Sequence, residues 1–214
     1  MPQASIDPVV MAAATVLRLQ TIVSRELAAS EAAVVTVGAL QAGDKENVIP
    51  DDAVLKLNVR TFDADVRTRV LAAITRIVNA EAAAAGAPKP PEITPLDSYS
   101  LVTNDPDATR RVVEAFRTHF GNDRIREAKP TSASEDFGVF GAAWHAPSVF
   151  WFIGGTEPQR YAEAKQAGRV REIPTNHNPG FAPVLHPTLE TGVATMSAST
   201  THRATPGPFE GVYK

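Results

Sequence analysis

The chain has 214 residues, of which 43% are hydrophobic and 21% are charged, and its formal net charge is −3. This composition is typical of a soluble globular protein with one or two domains, and the charge gives no reason to expect a nucleic acid or an anionic membrane as a partner. The absence of cysteine excludes disulfides, thiolate catalysis and cysteine-type zinc sites. No apolar run approaches the roughly 20 residues that span a bilayer, and no signal-peptide pattern opens the sequence, so a cytoplasmic protein is expected.

Residues 1–62 predict a helix followed by a long β-hairpin. Asp7 has the character of an N-cap and Pro8 that of a first helical residue. The apolar residues that then recur with helical spacing are Val9, Ala13, Val16, Val23 and Leu27. The run 32–40 is rich in β-branched residues, and a turn follows it around Gly43. Apolar and polar residues alternate over 54–62, with the polar face carrying Lys56, Asn58 and Arg60.

A second helix and a third strand complete this part of the chain. Asp63 is suited to cap the helix, and Gly86 and Pro88 to end it. Residues 93–101 then predict a strand. The resulting order of helix, strand, strand, helix and strand is that of a ferredoxin-like β-α-β sandwich lacking its first strand.

The character of the sequence changes near Val102. Asp105 and Pro106 open a helix that Gly121 ends, and another helix follows Pro187. The expected elements between these helices are a short strand at 125–129, a short helix starting at Glu135 with Ser134 as its cap, a buried strand at 148–153 and a helical turn at 161–167. The residues from 200 onward predict a disordered tail.

Six short runs resemble the same family when they are taken in this order. They are Ile6-Asp7-Pro8-Val9, Asn47-Val48-Ile49-Pro50-Asp51, Val59-Arg60, Ser134-Glu135-Asp136-Phe137, Gly154-Gly155-Thr156 and His177-Asn178-Pro179-Gly180-Phe181. Together they resemble the zinc-type amidohydrolases and metallopeptidases of the aminoacylase, hippurate hydrolase and indoleacetyl-amino-acid hydrolase group. The resemblance extends from residue 1 to about residue 197, and the common order of the runs carries it.

The resemblance implies an α/β protein with an α+β lid. Residues 1–100 would form an incomplete lid and dimerisation domain, residues 101–199 the C-terminal part of the catalytic domain, and residues 200–214 the tail. Members of the family use two divalent ions (Zn, Mn, Co or Ni) and a glutamate base to hydrolyse N-acyl amino acids or similar amides. The part of the family that supplies the base and most metal ligands has no counterpart here. This chain alone is therefore expected to be inactive and to form a homodimer through the lid.

His177 is the metal ligand that the resemblance implies, and neutral imidazole suits divalent first-row metals. Pro174 and Pro179 flank it and are expected to stiffen the loop. From the residues alone, a loop histidine bonded to a nearby carbonyl is the alternative. A lone imidazole is a weak site, because zinc sites need three or four protein ligands.

Substrate binding is assigned by the resemblance to Asn47, Arg60, Gly154 and Gly155. The lid residues among these would hold the carbonyl and carboxylate of the substrate, for which a guanidinium fork is suited. A solvated arginine beside a turn asparagine, and glycines that only form a turn, are the alternatives.

The adjacent carboxylates of Glu135 and Asp136 are assigned a structural role or a role behind the metal ligands. Consecutive helical residues point about 100° apart, and acidic residues are favoured in a first helical turn without any chemistry. His119, His145 and His186 are interpreted as surface or packing residues. The alternative to an enzyme is a non-catalytic remnant that acts only as a dimerisation or interaction module.

Overall fold

A computed structural model describes residues 2–131, 133 and 135–201. The chain divides into two compact units: unit 1 is Met1–Leu101 with Thr131–Ser134, and unit 2 is Val102–Pro130 with Glu135–Lys214. The predicted assignment of residues 1–100 and 101–199 to a lid domain and a catalytic part remains a prediction. Within the described ranges, no helix has both the length and the hydropathy that crossing a membrane requires.

Unit 1 is a β-hairpin flanked in sequence by two long helices. The elements are α1 (Pro8–Thr21), β1 (Ala33–Gln41), β2 (Val54–Thr61) and α2 (Ala64–Ala84). The two strands pair antiparallel, from Ala33 opposite Thr61 to Gln41 opposite Val54. The register shifts between Val37 and Ala39, so Gly38 is the extra residue of a β-bulge. The predicted hairpin is confirmed.

One face of the hairpin packs on both helices and forms the core of unit 1. The buried side chains of this core are Leu19, Ile22, Val35, Val66, Val70, Ala73, Ile74 and Ile77. Val37, Leu57 and Val59 pack against it from the same face of the strands. The alternation of the sequence therefore corresponds to one covered face and one open face.

The prediction of which α1 residues form the buried apolar stripe is wrong. Val9 and Val23 are exposed, whereas Ala12, Leu19 and Ile22 are buried. Two features explain the error. The helix is apolar on more than one side, and a π-helical turn at Ile22–Glu26 follows it, so a count of 3.6 residues per turn loses phase across that turn.

The predicted helix caps of unit 1 are confirmed. The carboxylate of Asp7 accepts hydrogen bonds from the amides of Val9 (2.8 Å) and Val10 (3.3 Å). At the end of α2, the amide of Gly86 donates to the carbonyl of Ala83, and Gly86 has a φ of 74°. Glycine adopts this left-handed conformation without the penalty that a Cβ brings.

Unit 2 contains the helices α3 (Pro106–Phe120), α4 (Gly138–Trp144), α5 (Pro158–Gln166) and α6 (Leu185–Thr201). Helix α3 packs against α6, and the ring of Phe116 lies edge-on to that of Trp151 at 5.4 Å between centroids. The predicted cap Asp105 and stop Gly121 of α3 are confirmed. The helical turn predicted at 161–167 belongs to a longer helix that begins at Pro158.

The strands predicted at 93–101, 125–129 and 148–153 are absent from these described segments, which have no strand pairing. A strand needs a continuous ladder with a neighbouring backbone, whereas 148–153 receives one backbone bond, from the Asp105 amide to the Ser148 carbonyl (2.9 Å), and otherwise meets the side chain of Asn104. The side-chain amide of Asn104 donates to the carbonyl of Phe150 (2.8 Å) and accepts from its N–H (2.7 Å).

The cap proposed at Ser134 lies outside the described residues. The tail was predicted to begin at residue 200, but Thr200 and Thr201 belong to α6, and the rest of the predicted tail lies outside the described residues.

Asp63 provides a test of the contribution of capping to unit 1. Its carboxylate accepts from the amides of Asp65 (2.8 Å) and Val66 (2.9 Å) at the start of α2. Asp63→Ala should lower the free energy of unfolding by about 1 kcal/mol, measured by urea denaturation, because two amides lose their acceptor. Asp63→Asn keeps an accepting oxygen and should remain close to wild type. Equal destabilisation by both variants would contradict the capping role.

Glu31 provides a test of its ion pair with Arg69, which joins the segment before β1 to α2. The hydrogen bond from Arg69, followed by that from the Ala28 amide, lowers the pKa of Glu31. The pair therefore stabilises the fold above the unfolded-state pKa of about 4.3, and this stabilisation is lost as the pH falls through the lower folded-state pKa.

At pH 7, wild type should melt at a higher temperature than Glu31→Gln, and the gap should close in acid. Glu46→Gln, in the exposed loop between the strands, is the matched control and should leave the melting temperature unchanged. A gap between wild type and Glu31→Gln that does not vary with pH would refute the electrostatic origin.

Candidate functional site

His177 lies at the apex of a double turn in unit 2. The amide of Asn178 donates to the carbonyl of Thr175 (3.0 Å), and the amide of Phe181 donates to the carbonyl of Asn178 (2.9 Å). The Asn178 side chain also accepts from the amide of Gly180 at 2.8 Å. His177 has a φ of 69°, which is the left-handed conformation, and its side chain is exposed. These turns fix the backbone that carries the imidazole.

The flanking prolines contribute to this loop by packing as well as by stiffness. A Cβ on Gly180 would lie 3.4 Å from the Cγ of Pro174 and 3.2 Å from Oδ1 of Asn178. A larger residue at position 180 would therefore press on both neighbours. Glycine allows the two ends of the loop to approach closely.

Gly155 lies beside the segment that follows the His177 loop. Its carbonyl accepts from the amide of Val184 at 2.9 Å, and a Cβ on Gly155 would lie 3.0 Å from the Cβ of Pro183. The carbonyl of Gly154 lies 3.5 Å from the hydroxyl of Thr188, at the start of α6. The close approach of Pro183 therefore accounts for glycine at position 155, independently of any role of this residue in substrate binding.

The residues that the structure describes do not by themselves fit a resident two-metal centre. Among the residues that the structure describes, no group of three or more His, Asp or Glu side chains is arranged to hold a metal ion. Metal centres of the zinc type need three or four protein ligands. His177 can be at most one donor of a site whose other ligands lie outside these residues.

Asn47 and Arg60 both belong to unit 1 but lie at opposite ends of the hairpin. Asn47 is exposed in the loop that joins β1 to β2. Arg60 pairs with Val34 and lies six residues beyond Val54, where the loop ends, a distance of about 20 Å along the strand. The hairpin therefore does not bring these two predicted substrate-binding residues together within one chain.

The open face of the hairpin has a hydrogen bond that the sequence interpretation missed. The Nε–H of Arg60 donates to Oδ1 of Asn58 at 2.9 Å, and both side chains are exposed. The i, i+2 spacing was the available signal, because it places both residues on the same face of β2. Neither strand contains an acidic residue, while β2 contributes Lys56 and Arg60 to this face.

Glu135 and Asp136 precede α4 and do not form its first turn. The helix begins at Gly138, three residues later than predicted. The carboxylate of Glu135 accepts from the amide of Asp136 at 3.1 Å, and the Asp136 carbonyl accepts from the amide of Val139 at 3.0 Å. The prediction that these carboxylates lie in the first helical turn is wrong, whereas their assigned roles remain predictions.

His186 has a partner that the sequence interpretation did not identify. Its Nδ1 is hydrogen-bonded to Glu190, four residues later, and this contact lowers the pKa of Glu190. His186 itself has an extended backbone (φ −110°, ψ 127°) at the kink that precedes the regular helical part of α6. Both side chains are exposed, so the pair forms a surface contact of the helix. His119 packs edge-on against Phe120, and His145 ends α4 with a φ of 49°.

Comparison with known proteins relates both units to the same group of hydrolases. Residues 1–85 match the family model described as a peptidase dimerisation domain of the M20 type. The uncharacterized hydrolase y4tI of Sinorhizobium fredii is 29% identical over 195 residues, which are 90% of this chain and 44% of that protein. The N-acetyl-L-cysteine deacetylase of Bacillus subtilis is 32% identical over 161 residues, which are 72% of this chain and 36% of the deacetylase. The chain thus spans less than half the length of these relatives.

A solved structure extends the similarity to the fold. The YXEP protein of Bacillus subtilis, described as a dinuclear metal-binding peptidase from the M20 family, superposes with a TM-score of 0.61 at 26% identity, over 91% of this chain and 44% of that protein. The predicted fold class, an α/β protein with an α+β dimerisation domain, is thereby confirmed, and the described residues show it as helices with a small antiparallel sheet. Residues 1–85 therefore match the dimerisation domain of M20-type peptidases, and the chain is similar over most of its length to a peptidase of that family.

Proposed function

We propose that this chain is part of a metal-dependent amidohydrolase that acts on N-acyl amino acids or similar linear amides. The observation that carries the proposal is the 32% identity over 161 residues to a deacetylase of an N-acyl amino acid. The products would be a carboxylate and a free amino acid. The family's metal ions, Zn, Mn, Co or Ni, would supply Lewis-acid chemistry when bound.

The residues of this chain would bind the metal and orient the substrate, and they would not supply the nucleophile or the general base. His177 would donate its imidazole to the metal centre, because its double turn holds an exposed ring on a defined backbone. Arg60 would grip the substrate carboxylate with its guanidinium fork. Asn47 would bind the substrate carbonyl, and backbone groups at Gly154 and Gly155 would lie along the substrate. Glu135 and Asp136 would have a supporting role.

We further propose that the 214-residue chain is inactive on its own. Two observations support this. The described residues offer no cluster of metal ligands around His177. In addition, Leu189, Val193 and Met196 form a stripe on the regular helical part of α6, which begins after Pro187; these residues are 57–62% exposed, and apolar surface of this kind is typically covered by another segment or partner.

The second candidate function is a dimerisation module without catalysis. The outward side of α1 favours it, because Val10 and Leu17 are 64% and 73% exposed and lie about two turns apart on a helix of the matched dimerisation domain. A homodimer through the lid is compatible with both candidate functions. Catalysis distinguishes them.

An activity test separates the two candidates. The purified chain with Zn²⁺, Mn²⁺ or Co²⁺ should give no hydrolysis of N-acetylcysteine above buffer. A chimera carrying the segment of the Bacillus subtilis deacetylase that precedes its matched region should hydrolyse it. His177→Ala should then reduce kcat/KM of the chimera by at least about 100-fold, because a metal ligand is lost.

His119→Ala, on a helix of the same unit, is the matched control and should leave the rate of the chimera unchanged. Turnover by the chain alone that His177→Ala abolishes would contradict the proposed inactivity. A well-folded chimera without activity would favour the dimerisation module.

The dimer is tested at the exposed face of α1. Leu17→Glu should raise the dimer dissociation constant by at least about tenfold, because association would bury a carboxylate. Analytical ultracentrifugation at micromolar concentration measures the change. Leu96→Glu is the matched control: Leu96 is 79% exposed in the segment after α2, and this variant should remain dimeric. A monomeric wild type, or equal effects of both variants, would refute dimerisation through α1.

A further inference from the structure

The side chain of Asn104 forms both hydrogen bonds that a neighbouring strand would offer to Phe150. Its Nδ2 donates to the carbonyl of Phe150 at 2.8 Å, and its Oδ1 accepts from the N–H of the same residue at 2.7 Å. The amide of the next residue, Asp105, donates to the carbonyl of Ser148 at 2.9 Å. Three hydrogen bonds from two consecutive residues thus join the start of α3 to one end of the segment 148–155.

The other end of this segment is joined to the residues that precede α6. The carbonyl of Gly155 accepts from the amide of Val184 at 2.9 Å, and a Cβ on Gly155 would lie 3.0 Å from the Cβ of Pro183. Between the two ends, the ring of Trp151 lies edge-on to that of Phe116 on α3, at 5.4 Å between centroids. The position of Gly155 therefore depends on an anchor at each end of the segment.

We propose that Asn104 is a positioning residue, which fixes the segment 148–153 through Phe150 and thereby places Gly154 and Gly155 for contact with the amide substrate. This inference rests on the proposed function, because it takes the two glycines as part of the substrate site. Asn104 itself does not touch the substrate. It acts through the backbone of Phe150.

A side-chain amide suits this role because it carries a donor and an acceptor in one plane. The N–H and C=O of a single backbone residue are paired in the same way across an antiparallel ladder. An aspartate at position 104 would keep an acceptor for the Phe150 N–H, but it would offer no donor to the Phe150 carbonyl. Alanine would remove both partners. Asparagine therefore holds this residue by its donor and its acceptor together.

The distance along the chain makes the contact at Phe150 important for the glycines. Gly154 is four residues from Phe150, which is at most about 14 Å, so a tilt of about 5° at Phe150 would move Gly154 by up to about 1 Å. A displacement of that size in a site can lower a reaction rate on the order of 100-fold. Ordering the segment before the ligand arrives also reduces the entropy lost on binding, which corresponds to about three- to tenfold in affinity.

The test follows the Gly155 amide by NMR in the full chain, with N-acetylglycine as the probe. Gly154-Gly155 is the only Gly-Gly dipeptide of the sequence, so glycine labelled with ¹³C at its carbonyl and with ¹⁵N identifies the Gly155 signal. In wild type, this signal should shift as N-acetylglycine is added and yield a Kd. Asn104→Ala should raise this Kd about three- to tenfold, because the segment is no longer ordered before binding.

Two further variants separate positioning from stability. Asn104→Asp should raise the Kd at least as much as Asn104→Ala, because its carboxylate lacks the donor for the Phe150 carbonyl. Asp105→Ala is the matched control: it removes the Oδ1 that accepts from the Ala108 amide at 2.7 Å, yet it keeps the backbone bond to Ser148. This control should lower the melting temperature, as Asn104→Ala does, but leave the Kd unchanged well below that temperature.

An equal loss of affinity in Asn104→Ala and Asp105→Ala would show that Asn104 acts through the stability of unit 2 alone, and it would overturn the positioning role. An unchanged Kd in Asn104→Ala or in Asn104→Asp would do the same. A wild-type Gly155 signal that does not respond to N-acetylglycine would overturn the place of this glycine in the site. If the chimera described above nevertheless hydrolyses N-acetylcysteine, the proposed function survives and only this inference fails.

Discussion

The packing of the inner face of the hairpin on α1 and α2 is the interaction on which unit 1 depends. A two-stranded hairpin is at best marginally stable in water, so the strands need an apolar layer from the helices. Leu19 of α1 and Val70 of α2 are fully buried in that layer. Because successive strand residues point to opposite faces, burial of Val59 on the inner face turns Asn58 and Arg60 outward. The core thereby decides which polar groups the open face presents.

Stability is distributed unequally between the two units. Unit 1 has a continuous core, whereas Ala115 and Phe116 are the buried hydrophobic residues in the described part of unit 2. Helix α6 instead lines an open apolar groove of about 660 Å³ together with Ile153. The segment 148–153 is bound by the Asn104 side chain and by the Asp105 amide, which donates to the Ser148 carbonyl, rather than by a strand. These features are consistent with a unit that supplies parts of a site and depends on further apolar cover.

The double turn around His177 illustrates how the backbone of an exposed loop residue is fixed without burial. A left-handed conformation costs a residue with a Cβ on the order of 1 kcal/mol, so local contacts must maintain it. Asn178 provides them, because its backbone takes part in both turns and its side chain binds the amide of Gly180. Pro174 packs over the same glycine position. The loop is therefore defined by its own residues, over a range of eight positions.

The sequence by itself determined the features that depend on near neighbours. Caps such as Asp63 and Asp105 and the stop at Gly86 were predictable, because each acts on amides or carbonyls within a few residues. The alternation of β2 likewise fixed the face on which Arg60 lies. The turn at His177 was foreseen as a stiff loop, although its left-handed backbone was not, since histidine carries no strong preference for it.

Tertiary structure alone decided the features that depend on a distant partner. Which side of α1 is buried was set by packing against the hairpin and α2, since its sequence is apolar on several sides. Residues 148–153 had the composition of a buried strand, but a strand requires a continuous ladder with a second backbone. The described residues provide one backbone bond, from Asp105 to Ser148, and the side chain of Asn104 beside it. The separation of Asn47 from Arg60 followed from the strand register, which sequence periodicity does not specify.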